Sequence, residues 1–153
     1  MPKLYQPREL FASPIKAITL YPIWAWLIIY GPKRVENRTW ATTHRGPLAI
    51  HAGSTRKTER EDRIWLAARG MYVPHNLPVG AILGVVNLDD CLLYGDDFAD
   101  DPFACGPYCW MLSKPNPLEH PIYVPGKLSL WNFDAEQKGS LPSASVFPLF
   151  PTA

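Results

Sequence analysis

Between residues 24 and 40 the chain crowds Trp24, Trp26, Lys33, Glu36, Arg38 and Trp40 around the breaker pair Gly31-Pro32. Lys33 offers a compact cation, suited to a phosphate or, if held neutral, to service as a general base. Glu36, three residues on, can pair with Lys33 or accept hydrogen bonds from a base edge. Arg38 shares the strand face of Glu36 and brings a planar donor fork for phosphate or base recognition. Trp24, Trp26, Trp40 and Trp110 are flat surfaces on which an unpaired base can stack, each worth about 1 to 3 kcal/mol. Trp24 and Trp26 lie about 200° apart on a helix, so one faces the core and the other a cleft, and Trp26 is taken for the cleft. Trp131 is read as a core plug. The competing reading of Lys33, Glu36 and Arg38 is a structural ion-pair network that clamps the turn.

Arg45 and His51 bracket a further apolar run, 46 to 50. Arg45, beside Gly46, is placed at a rim where it meets a ligand's phosphate or sugar. His51 serves either as a ligand contact or as a satisfied core imidazole. Lys57, Arg60 and Arg63 recur every third residue as a candidate phosphate stripe, although Glu59, Glu61 and Asp62 favour a solvated salt-bridge face.

These residues require short strands to hold them. Residues 17 to 22 alternate as a strand, and Pro22 is placed to open a helix that runs to Tyr30 and stops at Gly31. Residues 34 to 40 alternate again, with Glu36 and Arg38 on one side. Residues 46 to 53 read as a buried strand, followed by a helix capped by Ser54 or Thr55 and running to about Arg69. Residues 80 to 93 form the longest β-type run. An acidic loop follows, then a strand over 108 to 115 and a proline-broken extended stretch over 121 to 133. Residues 1 to 14 form an arm laid across the domain or left mobile, 15 to 133 one domain, and 134 to 153 a mobile extension.

The 153 residues suit a single core, and 17 prolines argue against a helical bundle. The formal net charge is only +1, but residues 31 to 69 hold nine Lys or Arg against four acids, whereas 70 to 113 hold six Asp and no Lys or Arg. Any affinity for nucleic acid is therefore local and modest, carried by one basic face. Cys105, Cys109 and His120 lack a regularly spaced fourth ligand, so neither a metal nor a cofactor is expected. The apolar run 23 to 30 is well short of the roughly 20 residues of a membrane span. The start, without an apolar signal core, and the odd number of cysteines point to a reducing cytoplasm.

Gly31, Lys33, Glu36 and Arg38 fall in the pattern Gly-x-Lys-x-x-Glu-x-Arg. With the flanking WAWLIIYG and NRTW, then RGPLAIHAG, GAILGVV, GPYCWML and GKLSLW in order, the chain resembles the ASCH domain, a branch of the PUA-like superfamily. The resemblance implies an α+β fold: a small β-barrel of five to six strands with helices closing its ends, and a cleft beside the signature turn. It also implies a binding module for RNA or a modified nucleoside, with Gly31, Lys33, Glu36, Arg38, Trp26, Trp40, Arg45 and His51 as ligand contacts. The alternative is an amidohydrolase that deacylates N4-acetylcytidine, with Lys33 and Glu36 catalytic, or a metal-independent ribonuclease using His51 or Lys33. The deacylating relatives carry threonine where this chain has Glu36, which removes the obvious nucleophile; Thr39 and Thr42 are the nearest replacements.

Overall fold

The computed structural model describes residues 2–11 and 14–135. In chain order it contains α1 (Pro7–Leu10), β1 (Ile15–Leu20), α2 (Pro22–Ile29), β2 (Val35–Arg38), β3 (Gly46–Ala52), α3 (Glu59–Ala67), β4 (Ala81–Leu93), β5 (Tyr108–Tyr123) and β6 (Trp131–Phe133), with a single 3-10 turn at Asp96–Phe98. The strands make one mixed α+β sheet in the order β2-β5-β4-β3-β1-β6. Only β1 and β3 run parallel; every other pair is antiparallel.

The expected barrel is not closed by a ladder. β2 has four residues and β6 three, and among the described residues no backbone pairing joins these two edges. Edges so short offer few hydrogen bonds to zip together. The gap between β2 and the loop before β6 is where the cleft described below lies.

The central strands are buried on both faces, which explains their nearly unbroken apolar sequence. Ile18, Leu48, Ile50, Leu83 and Trp110 face α2, while Ala17, Ala49, Ile82, Val85 and Leu118 fill the opposite layer with Trp131 and Phe133. The first residues are tied into that second layer. Tyr5 exchanges backbone hydrogen bonds with Pro117 and Glu119 at 2.9 and 2.8 Å, and Phe11 packs edge-on to Phe133 at 5.3 Å.

Helix α2 is apolar on every side because it is enclosed: Pro22, Ile23, Ala25, Leu27, Ile28 and Ile29 are buried. Pro22 opens it, as its missing N–H requires no partner there. Its C-terminus turns back tightly. The amides of Gly31 and Lys33 both donate to the Leu27 carbonyl, and a Cβ on Gly31 would lie 2.9 Å from Leu27 Cδ2 and 3.0 Å from Leu27 O. Arg34 then donates to the carbonyls of Ile28, Gly31 and Lys33 at 3.2, 3.0 and 2.9 Å. A cation on the negative end of the helix fixes the turn that launches β2.

Candidate functional site

The tight turn delivers Lys33, Glu36 and Arg38 to one wall of an open cleft of about 1280 Å³. Lys33 is 3% exposed and Glu36 8%. The Lys33 ammonium donates to the Val35 carbonyl and to Glu36 Oε1, the latter at 2.9 Å, and lies 5.9 Å from the centre of the Trp24 ring. The other Glu36 oxygen stands 3.6 Å from Arg38. Arg38 is oriented from behind by the face of Trp40 at 5.6 Å, and Trp40 in turn meets buried Trp110 edge-on at 4.9 Å. One carboxylate thus holds two cations at the cleft surface. Such a group clamps the turn and also presents charge to the cleft, so the two readings of these residues are compatible.

Trp24, Trp65 and Phe103 make the aromatic wall, meeting one another at 5.9 to 6.5 Å between ring centres. Arg69 lies over Trp65 at 3.8 Å. The loop carrying Phe103 is held by Asn37, whose side-chain amide donates to the Phe103 carbonyl at 2.8 Å while its oxygen accepts from the amides of Cys105 and Gly106 at 2.8 and 2.9 Å. Glu61 and Asp62 from α3, with Ser54 and Thr55, form the rim. Burial holds the Asp62 carboxyl above its ordinary range despite a hydrogen bond from the Thr58 hydroxyl.

The far end is made by Thr19, His51 and the segment 125–129. His51 Nε2 lies 2.6 Å from the Val124 carbonyl. Burial lowers the imidazole pKa from its ordinary 6.5, although the Val124 carbonyl bond pulls the other way. Below that pH the unfolded chain takes up a proton that the folded protein resists. Stability is therefore expected to fall as the pH drops from 7.5 to 5.5, by up to about 1.4 kcal/mol per pH unit from this group. Urea denaturation at both pH values should show the loss, and His51→Gln should reduce it; an equal loss in the variant assigns the effect elsewhere.

The remaining expected contacts divide. Gly31 shapes the turn and Trp40 positions Arg38, but neither lines the cleft. The structure puts Trp24, not the expected Trp26, on the cleft wall, because the Trp26 ring packs on Tyr30 at 5.6 Å. Arg45 also lies away from the cleft, because the surface offers it Asp90 at 3.1 Å and the carbonyls of Thr42 and His44 at 2.9 Å. Thr39 and Thr42 do not line it either. The basic stripe on α3 is broken up, since Arg63 binds Glu59 and the carbonyls of Val73 and Pro74. Asn37, Trp65, Phe103, Lys127 and Ser129 were not foreseen as cleft residues. The alternation of β2 put Asn37 on the face away from Glu36, and Phe103 sits in a loop without any period to read.

A mixed six-stranded sheet crossed by an enclosed apolar helix, with a cation-carboxylate-cation group opening on an aromatic cleft, defines a small α+β domain with one open cleft beside its signature turn. The chain belongs to the ASCH domain family, whose model matches residues 18–122. Activating signal cointegrator 1 from Homo sapiens and its counterpart from Mus musculus are each 30% identical over an alignment of 129 residues that covers 78% of this chain. The chain spans 22% of the length of those relatives. Among solved structures, ASCH from Zymomonas mobilis aligns with a TM-score of 0.49 at 16% identity, covering 81% of this chain and 90% of that one. No helix among the described residues is long and apolar enough to cross a membrane.

Proposed function

We propose that the cleft binds an unpaired nucleotide of RNA, or a free modified nucleoside, without changing it. The observation that carries this reading is the convergence of Lys33, Glu36 and Arg38 beside Trp24, Trp65 and Phe103 in one cleft. A base presents a flat π face together with a polar edge, and an aromatic wall beside fixed charges answers both. Arg38, although 3.6 Å from Glu36, is the more accessible of the two cations for a phosphate, since the Lys33 ammonium is buried against Val35 and Glu36.

The charged lining is balanced, with Lys33, Arg38 and Lys127 against Glu36, Glu61 and Asp62. Such a cleft engages one or two phosphates. The logarithm of affinity for single-stranded RNA should accordingly fall against the logarithm of salt with a slope of about −1.4 for two contacts. A slope several times steeper would point to a broad basic face instead.

Titration with a short single-stranded RNA, followed by tryptophan quenching, tests the reading directly. Arg38→Ala is expected to weaken binding about tenfold with the fold intact, a loss of one charge-assisted contact. Lys33→Met, which keeps the buried stem, should also weaken it, and unchanged binding in both variants moves the site elsewhere. Chromatography of the same protein with N4-acetylcytidine covers the other chemistry: released cytidine, lost in Lys33→Met, would make the cleft an amidohydrolase in which Glu36 replaces threonine.

A further inference from the structure

The Lys33 wall leaves the opposite end of the cleft without a role, and two polar groups there are unusually placed. Since a carbonyl only accepts, the 2.6 Å contact to Val124 puts the His51 proton on Nε2 and leaves Nδ1 as a bare lone pair. The side chain is 1% exposed, and Nδ1 has no hydrogen-bond partner among the described residues. Thr19 is its register neighbour on the adjacent parallel strand. The Trp131 indole N–H donates to Thr19 Oγ1 at 3.1 Å, so the hydroxyl proton of Thr19 is free to be given elsewhere.

Both groups address one place. A Cβ built on Gly126 would lie 2.6 Å from Thr19 Oγ1 and 2.9 Å from His51 Nδ1. Gly126 belongs to a segment, 125–130, whose backbone makes no backbone hydrogen bond among the described residues. Ser129 there has φ 57°, and Leu128 is 93% exposed. The cover over the two groups is held by packing, and no ladder opposes its displacement.

We propose that Thr19 and His51 are a donor and acceptor pair for the amide or amidine edge of a nucleobase, reached when residues 125–129 move aside. This rests on the nucleotide-binding reading of the same cleft and adds its chemical selectivity. Neighbouring strands are about 4.8 Å apart, which lets one group accept an N–H while the other donates to the adjacent carbonyl or ring nitrogen, the bidentate arrangement that reads base edges. An alkylated edge has lost that N–H and leaves Nδ1 unpaired.

The test compares adenosine, cytidine and uridine with N6,N6-dimethyladenosine, N4,N4-dimethylcytidine and 3-methyluridine, using tryptophan quenching and the imidazole 15N resonances of the full chain. At least one parent nucleoside should bind about tenfold more tightly than its methylated form, the value of one well-placed hydrogen bond. The same parent should shift the His51 Nδ1 resonance, which a purely structural histidine would not show. Thr19→Val or Gly126→Ala should erase the preference, whereas Arg38→Ala should weaken both members of the pair alike. Equal binding of parent and methylated forms with an unmoved Nδ1 resonance overturns the pair and leaves the cleft reading standing. Absence of quenching by every nucleoside and by RNA overturns both.

Discussion

Glu36→Leu is expected to destabilise the protein by about 3 kcal/mol and to abolish ligand binding. The leucine fills the space but leaves the Lys33 ammonium, 3% exposed, with the Val35 carbonyl as its one hydrogen-bond acceptor among the described residues. Breaking a buried pair by removing one partner typically costs about 3 to 5 kcal/mol, because the remaining charge keeps its desolvation penalty. The lower end applies, since the cleft beside Lys33 can admit water. Arg38 also loses the carboxylate that stands 3.6 Å away, so the recognition surface disappears with the clamp. Adding Lys33→Met removes the orphaned charge, and the double variant should regain most of the stability without regaining binding. Urea midpoints for the two single variants and the double, with RNA quenching on each, separate the roles. An unchanged midpoint in Glu36→Leu would mean that the pair carries no structural load.

The grouping of Lys33, Glu36 and Arg38 was legible because it is local: a helix, a Gly-Pro stop and four strand residues bring all three together without help from the rest of the chain. Helix α2 was equally plain, since Pro22 and Gly31 mark its ends within a residue or two. What could not be read depends on distant parts. Trp24 and Trp26 are equivalent from their own helix, and only Trp65 and Phe103, approaching from elsewhere, decide which faces the cleft. Arg45 has the right type for a rim residue, but the partner that captures it, Asp90, lies in β4. Helix α3 starts at Glu59, not after Ser54 or Thr55, and both of those capping candidates line the cleft instead. The expected extension over 134 to 153 lies outside the described residues from 136 onward. The prolines suggest a break in β5, yet it runs unbroken from Tyr108 to Tyr123, because the register shifts against β4 at Ile82/Gly84 and Val85/Asn87 fall where Pro115, Pro117 and Pro121 remove donors.

One of those shifts supplies the second large effect: Gly84→Ala should lower stability by about 3 kcal/mol, at the upper end for overpacking a well-filled core. Gly84 pairs with Pro117 just where β5 crosses β4. A Cβ there would sit 2.4 Å from the Asn116 carbonyl oxygen, 3.0 Å from Pro117 Cα and 3.1 Å from Ile29 Cδ1. The two nearest obstacles are backbone and cannot yield, and the third is the tip of the Ile29 side chain, buried in the core. For a domain of this size the melting temperature should drop by roughly 6 to 12 °C. Gly95→Ala is the matched control: its surroundings are open and its φ of −171° is extended, so a change within about 0.5 kcal/mol is expected. The consequence extends to function, because the half of β5 beyond Pro117 leads to Val124, whose carbonyl fixes the His51 tautomer, and into the segment covering Thr19. In a Gly84→Ala protein that remains folded, discrimination between parent and methylated nucleosides should therefore weaken more than overall affinity, since Lys33, Glu36 and Arg38 hang from the other half of the strand through β2. A wild-type melting temperature would show instead that β5 moves away from β4 freely, and that the register shift alone sets the crossing.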